Sequence, residues 1–234
     1  MHPFLKDVSD QLLDTIFPIH CLGCGEEGPL YLCTECIMSL ERLRLQNCIM
    51  CHKSSLGGIT HNKCATQVSP IQTISLFAYK DTRVSRAIIL GKYKFVPAIY
   101  AELGHMLALF LKGRPDIVKA DFVIPIPLSP QRKRWRGFNQ AEIIAAQISI
   151  NSNIPLSNAL SRNKNTKTQK DLNKKDRLEN MKGSFEVSTK ANLVDKNVML
   201  IDDVLTTGST LLEATKALKE AGAASVICVT LARD

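Results

Sequence analysis

No stretch of the 234 residues is apolar for the roughly 18 consecutive positions a bilayer-spanning helix needs. The first 18 residues lack a basic leader, an unbroken apolar run and a small-residue cleavage site. They carry Asp7, Asp10 and Asp14 instead, so no secretory signal is expected and the cytoplasm is the expected location. The phosphate-loop pattern GxxxxGK[ST] does not occur. No Ser/His/Asp triad, glycosidase-like carboxylate pair or groove-reading DNA motif stands out. The α/β half holds no internal repeat. Wholesale disorder is excluded as well, because 45% of residues are apolar and 22% charged, near the globular average.

What is present is unevenly placed. The formal charge is +8, and the segment from Gln131 to Lys182, with twelve basic and four acidic residues, carries all of it. An anionic partner is therefore expected without being identified. Seven of the eight cysteines lie between Cys21 and Cys64. In a reducing compartment, clustered cysteines serve as metal ligands more often than as disulfides.

The cysteines form pairs two residues apart: Cys21/Cys24, Cys33/Cys36 and Cys48/Cys51, followed by His61/Cys64. Two such knuckles enclose one tetrahedral ion, so eight ligands suffice for two structural zinc ions. Sequential pairing gives Cys21, Cys24, Cys33 and Cys36 for one site and Cys48, Cys51, His61 and Cys64 for the other. His20 and His52 neighbour ligands and are alternatives to His61. A closed site of this kind lacks the open position that catalytic zinc requires. The pairs also do not open helices in a βαβ pattern, which argues against a redox role. Cys228, inside an apolar strand, is expected to be a buried core thiol.

Phe4, Leu5, Val8, Leu12, Leu13, Ile16 and Phe17 predict a short amphipathic helix over 4–17. From about Ile71 the pattern alternates. Strands are expected at 74–80, 121–127, 196–203 and 224–232, with helices at 85–91, 98–112, 137–149 and 209–222. Residues 161–182 read as a polar loop or short helices. Two domains are thus expected: residues 1–66, holding the metal knuckles, and residues 67–234, an α/β unit with a parallel sheet. Chelation is expected to unfold the first and spare the second.

The most informative stretch is residues 198–210, VMLIDDVLTTGST. An apolar strand ends in Asp202 and Asp203, and a Thr/Gly/Ser loop opens a helix. Ligands bind beyond the carboxyl ends of strands in open α/β sheets. Loop N–H groups at a helix N-terminus suit a phosphate. Paired carboxylates repel a bare phosphate and suit vicinal ribose hydroxyls, directly or through Mg2+. A ribose 5-phosphate satisfies both halves.

That stretch resembles the phosphoribosyl-pyrophosphate (PRPP) motif of type I phosphoribosyltransferases. Residues 121–142, DFVIPIPLSPQRKRWRGFNQAE, are similar to the signature of the ComF/GntX family, including the run from Arg136 to Gln140. Arg162, Thr166 and Gln169, then Arg177, Asn180 and 183–185, match the same family's spacing. The four knuckles resemble its double zinc ribbon, with His61 where the family usually has Cys. The resemblance implies a type I phosphoribosyltransferase-like parallel sheet with flanking helices, preceded by a small zinc ribbon. It implies that Asp202 and Asp203 meet the ribose as the catalytic pair. Val204, Leu205, Thr206, Thr207, Gly208, Ser209 and Thr210 would complete the PRPP site around the 5-phosphate. Residues 125–129 would face the pyrophosphate, with Mg2+ accompanying PRPP. Lys92, Arg132, Arg136, Asn139 and Gln140 are candidates for pyrophosphate or nucleic-acid contact. Cations interleaved with Trp135 and Phe138 suit a pyrophosphate and equally suit single-stranded DNA. Members of the family are linked to natural competence, which implies incoming single-stranded DNA and a competence helicase as partners. The alternatives are a PRPP-sensing or nucleic-acid-binding protein without turnover, and a phosphoribosyltransferase of nucleotide metabolism.

Overall fold

The structure, a computed structural model, describes residues 18–114, 117, 119–163 and 183–234. The helix expected over 4–17 and most of the 161–182 stretch lie outside the described residues. The cysteine-rich segment contains the one-turn helix α1 (Thr34–Met38) and the two-residue strands β1 (Gln46–Asn47) and β2 (Ser54–Ser55). Then follow β3 (Gln72–Ala78), α2 (Thr82–Tyr93), α3 (Pro97–Lys112), β4 (Phe122–Pro125), α4 (Pro130–Arg136) and α5 (Gln140–Ser152). A small antiparallel pair, β5 (Leu160–Arg162) and β6 (Phe185–Val187), precedes β7 (Asn197–Leu205), α6 (Ser209–Glu220) and β8 (Ser225–Arg233).

The main sheet is parallel, in the order β3-β8-β7-β4. Alternation along the strands divides the core. Met199, Ile201, Val229 and Leu231 face α2, α3 and α5, while Val198, Leu200, Val226 and Cys228 face α6. Parallel sheets need this cover on both faces, since their crossovers lay helices there. Cys228 is a buried core thiol with its Sγ 3.6 Å from the Thr215 hydroxyl.

One helix departs from the sequence reading. The basic run after Ser129, where no helix is expected from the sequence, forms α4. Ser129 caps it by accepting from the Arg132 N–H, Pro130 occupies its first turn, and Gly137, at φ 78°, ends it in the left-handed region. These are strong start and stop signals. They lay inside a segment whose charge dominated its pattern, and the helix read there was placed at 137–149. That helix is α5, beginning three residues later with Asn139 as its cap.

The cysteine-rich segment is fastened to the α/β unit. Cys21, Leu32 and Leu40 belong to the same buried cluster as Ile74 and Leu76. The Glu102 carboxylate of α3 accepts the N–H groups of Tyr31 and Leu32 at 3.1 and 3.3 Å. Gln46 completes the edge of β3, donating to the Ser75 carbonyl at 2.9 Å and accepting the Ser75 N–H at 3.1 Å. Arg233, at the end of β8, donates to the Asn47 carbonyl at 3.1 Å. Among the described residues no helix is long and apolar enough to cross a membrane.

Candidate functional site

The last ladder pair of β4 with β7 is Pro125 with Ile201, but β7 runs on beside β8 to Leu205. Asp202 and Asp203 therefore stand at the mouth of a cleft between β7 and the chain leaving β4. A cavity of about 520 Å³ opens there. Asp202, Asp203, Val204, Thr206 and Thr210 are among its lining residues, and so are Lys92, Arg132, Arg136, Asn139 and Gln140. The structure thus brings together the carboxylate stretch and all five candidate cation and amide positions. Leu205 turns into the core instead, and Thr207, Gly208 and Ser209 shape the loop without lining the cavity.

Gly208 sets that loop. At φ 81° it caps α6 without a side chain of its own, and the Ser209 N–H donates to the Thr207 hydroxyl at 3.5 Å. A Cβ there would sit 2.8 Å from Cγ1 of Ile49, a buried residue between the ligand-pattern positions Cys48 and Cys51. Only glycine satisfies both the left-handed backbone and this approach. The Thr207 and Ser209 hydroxyls bond one another at 3.0 Å.

The run from Arg136 to Gln140 positions the opposite wall. Gly137 ends α4, and the Phe138 ring packs against Tyr100 with centroids 6.1 Å apart. Asn139 caps α5 and donates to the Ile126 carbonyl at 2.9 Å, tying α5 to the chain beyond β4. Gln140 accepts from Nη1 of the buried Arg136 at 2.7 Å. Lys92 is aimed from the last turn of α2, which Gly91 lets lie tight on Tyr100.

The electrostatics set crowded arginines beside two carboxylates. Lys92 pairs with buried Asp203 at 2.7 Å. Burial and the charge of Asp203 push Asp202 up to about 7, against the opposing pull of Lys92 and Arg162. Burial, and Arg132 beside it, pull Arg162 down to about 10. Burial, then the neighbouring Arg136, likewise lowers Arg132. Arg162, Tyr79 and Tyr93 also line the cavity. Arg162 was marked only through family spacing, and Tyr93 was passed over although it follows Lys92.

A titration prediction arises here. Unfolded, Asp202 titrates near its ordinary 3.8; folded, near 7. The folded state therefore binds more protons across this window, and Asp202 adds stability as pH falls from about 7 towards 4. Asp202→Asn should raise Tm at pH 8 and flatten this part of the Tm–pH curve, as read by thermal unfolding at pH 5 and 8. An unchanged Tm at pH 8 contradicts the assignment.

Two four-residue clusters bring their donor atoms within 4.8 Å of one another: Cys21, Cys24, Cys33 and Cys36, and Cys48, Cys51, His61 and Cys64. A tetrahedron with ~2.3 Å metal–sulfur bonds has S–S edges of roughly 3.8 Å. The Cys24–Cys33 separation is 3.9 Å. His61 turns Nδ1 to Cys51 Sγ at 3.3 Å, and its Nε2 lies 3.1 Å from the Ser54 carbonyl. That outer contact fixes a ligating imidazole's tautomer. His61 thus joins the second cluster, whereas the His20 ring faces the Gly25 carbonyl. The sulfurs also disturb one another. Burial raises Cys21, but N–H groups of Cys33, Cys24 and Gly23 outweigh it and bring it to about 6. The neighbouring Cys33 and Cys21 sulfurs push Cys36 up to about 12. Either cluster could hold a metal ion.

A parallel sheet whose strand β7 carries paired carboxylates near its carboxyl end, before a glycine-capped loop, is the type I phosphoribosyltransferase fold. The phosphoribosyl transferase domain family matches residues 135–234. Competence protein ComFC of Bacillus subtilis is 31% identical over 215 residues, covering 87% of this chain and 84% of that protein. Competence protein ComFC of Streptococcus pneumoniae is 30% identical over 234 residues, covering 95% and 97%. Competence protein F of Haemophilus influenzae is 34% identical over 154 residues, covering 63% and 67%. The chain belongs to the ComF family.

Proposed function

We propose that the cavity binds PRPP together with Mg2+, and that the protein is a phosphoribosyltransferase-like protein acting in natural competence on incoming single-stranded DNA in the cytoplasm. The observation that carries this reading is the union in one 520 Å³ cavity of Asp202 and Asp203 with Lys92, Arg132, Arg136 and Arg162. Sugar hydroxyls suit the carboxylates, and a 5-phosphate suits the loop running from Thr206 to Thr210. A pyrophosphate suits the arginines, whose crowding an anion relieves. Mg2+ bound with PRPP would neutralise charge on the pyrophosphate as it leaves. Two zinc ions, one per cluster, fit a ribbon occupying about residues 1–66 ahead of the transferase-like domain, 67–234. The homologues' names support the competence role, and the basic charge supports DNA as partner.

Pyrophosphate release from PRPP and Mg2+, with and without single-stranded DNA, tests for a transferase. DNA-dependent release is expected. PRPP binding without release under any acceptor would leave a sensor.

The basic helix divides the two ligands. Arg132 lines the cavity, Lys133 is held by Glu142 at 3.1 Å, and Arg134 is exposed. Arg132→Ala should cost PRPP affinity. Arg134→Ala should leave PRPP binding intact and reduce the salt dependence of DNA binding by about 0.7 log units per log unit of salt, the value for one single-strand phosphate. Isotherms for both ligands on both variants, at several salt concentrations, check the division. An equal loss of both ligands in both variants contradicts it.

A further inference from the structure

The lip of the cavity carries aromatic surface that a sugar phosphate does not use. Tyr93, Phe95 and Trp135 are 46%, 43% and 55% exposed. Two separate elements deliver them: the end of α2 with the turn after it, and α4. The Phe95 and Trp135 ring centres are 5.2 Å apart with planes at 70°, and Tyr93 lies 6.2 Å from Trp135 at 64°. Neither pair is stacked face to face. Phe95 holds φ 59°, in the left-handed region that bulky residues rarely enter.

Exposed rings of this size are costly to leave in water unless something covers them. The setting decides what. Tyr93 and Trp135 line the cavity itself, and the Arg136 guanidinium lies 5.9 Å from the centre of the Trp135 ring. Lys94 and Arg134, the sequence neighbours of Tyr93, Phe95 and Trp135, are exposed, so cations accompany the rings outside the cavity as well. Rings flanked by cations, inside and outside a cavity, match a ligand that alternates planar rings with phosphates. A mononucleotide would leave the outer cations unused. A duplex would keep its bases stacked and out of reach.

We propose that Tyr93, Phe95 and Trp135 form a stacking subsite for an unpaired nucleobase of single-stranded DNA, whose backbone runs along Arg134 and Lys94 towards the cavity. This deepens the proposed function, from which the identity of the strand is taken. It also puts an unpaired base next to the place assigned to the sugar phosphate.

Trp135 is the only tryptophan in the sequence, so its fluorescence reports the subsite directly. The metal-loaded full chain is titrated with a short oligothymidylate, an abasic strand of equal length, and thymidine monophosphate. Quenching by the oligothymidylate is expected, with little from the abasic strand and at least tenfold weaker binding of the mononucleotide. Trp135→Ala should weaken binding of labelled oligothymidylate by roughly fivefold to a hundredfold, and Trp135→Phe should restore most of it. Phe95→Ala keeps the reporter and lies outside the cavity lining. It should reduce the quenching while PRPP binds, by calorimetry, as in the parent. Equal quenching by the abasic strand, or oligothymidylate binding without quenching, overturns the proposal, as does no binding at all. If PRPP fails to bind the parent while oligothymidylate still quenches, the phosphoribosyl reading falls and the subsite stands.

Discussion

Stripping the metal should disable the whole protein rather than its cysteine-rich segment alone. Metal binding is folding energy for such knuckles, about 10–16 kcal/mol per structural zinc in isolated peptides. Here the knuckles also hold other elements in place. Cys21 and Leu32 are part of the core beneath α2 and α3. Gln46 closes the exposed edge of β3. Ile49, between two ligands of the second cluster, packs against Gly208 in the loop assigned to the 5-phosphate. A strong chelator should therefore lower Tm by ten degrees or more and weaken PRPP binding before global unfolding. The sequence-based expectation that the α/β core is spared is revised on these contacts. Ile49→Ala, which leaves all eight ligands in place, isolates the link. Truncating a buried isoleucine costs about 2–5 kcal/mol, and the void would open beneath Gly208. PRPP affinity should fall in this variant while metal content, by elemental analysis, stays as in the parent. Full PRPP affinity in chelated protein would contradict the coupling.

The second large effect concerns the carboxylates, which the structure makes unequal. Asp203 is buried and paired with Lys92, whose side chain is only 21% exposed. Asp203→Ala removes one member of that pair, a change that costs about 3–5 kcal/mol when the remaining charge stays buried. Asp202 bears a charge its surroundings disfavour, so its loss should not harm folding. Both losses should weaken PRPP binding, each by roughly tenfold to a hundredfold, from about 1.5–3 kcal/mol per charged hydrogen-bonded contact. Asp203→Ala should thus lose both stability and ligand, Asp202→Asn the ligand alone. Thermal unfolding and calorimetry on the two variants separate them. Equal destabilisation by both would contradict the asymmetry.

Local chemistry made the central strand and its loop legible. An apolar run, two acids, a Thr/Gly/Ser stretch and a helical pattern follow one another within residues 198–222, and no distant residue is needed to read them. The knuckles were legible for the same reason, since fixed spacing is itself the signal. Long-range placement was not. Nothing in the local sequence says that Gln46 completes β3, that Ile49 lies under Gly208, or that Phe95 meets Trp135. Arg136 and Gln140 read as candidate ligand contacts, and their mutual bond shows that one orients the other. Asn139 read the same way, yet its side chain is occupied in capping α5 and holding Ile126. Spacing singled out His61, and its ring beside Cys51 separates it from His20, whose ring faces the Gly25 carbonyl. The missed helix α4 is the opposite case, its cap and stop being present in sequence but overshadowed by charge.

The central claim is that Asp202, Asp203 and the loop to Thr210 form a PRPP site. Calorimetric titration of the metal-loaded protein with PRPP, in the presence and absence of Mg2+, tests it most directly. The account predicts binding that strengthens with Mg2+ and is lost in the Asp202→Asn, Asp203→Asn double variant, which spares Lys92 the loss of a neighbouring polar group. Binding of equal strength in parent and double variant, or no binding by the folded, metal-loaded parent, would contradict it.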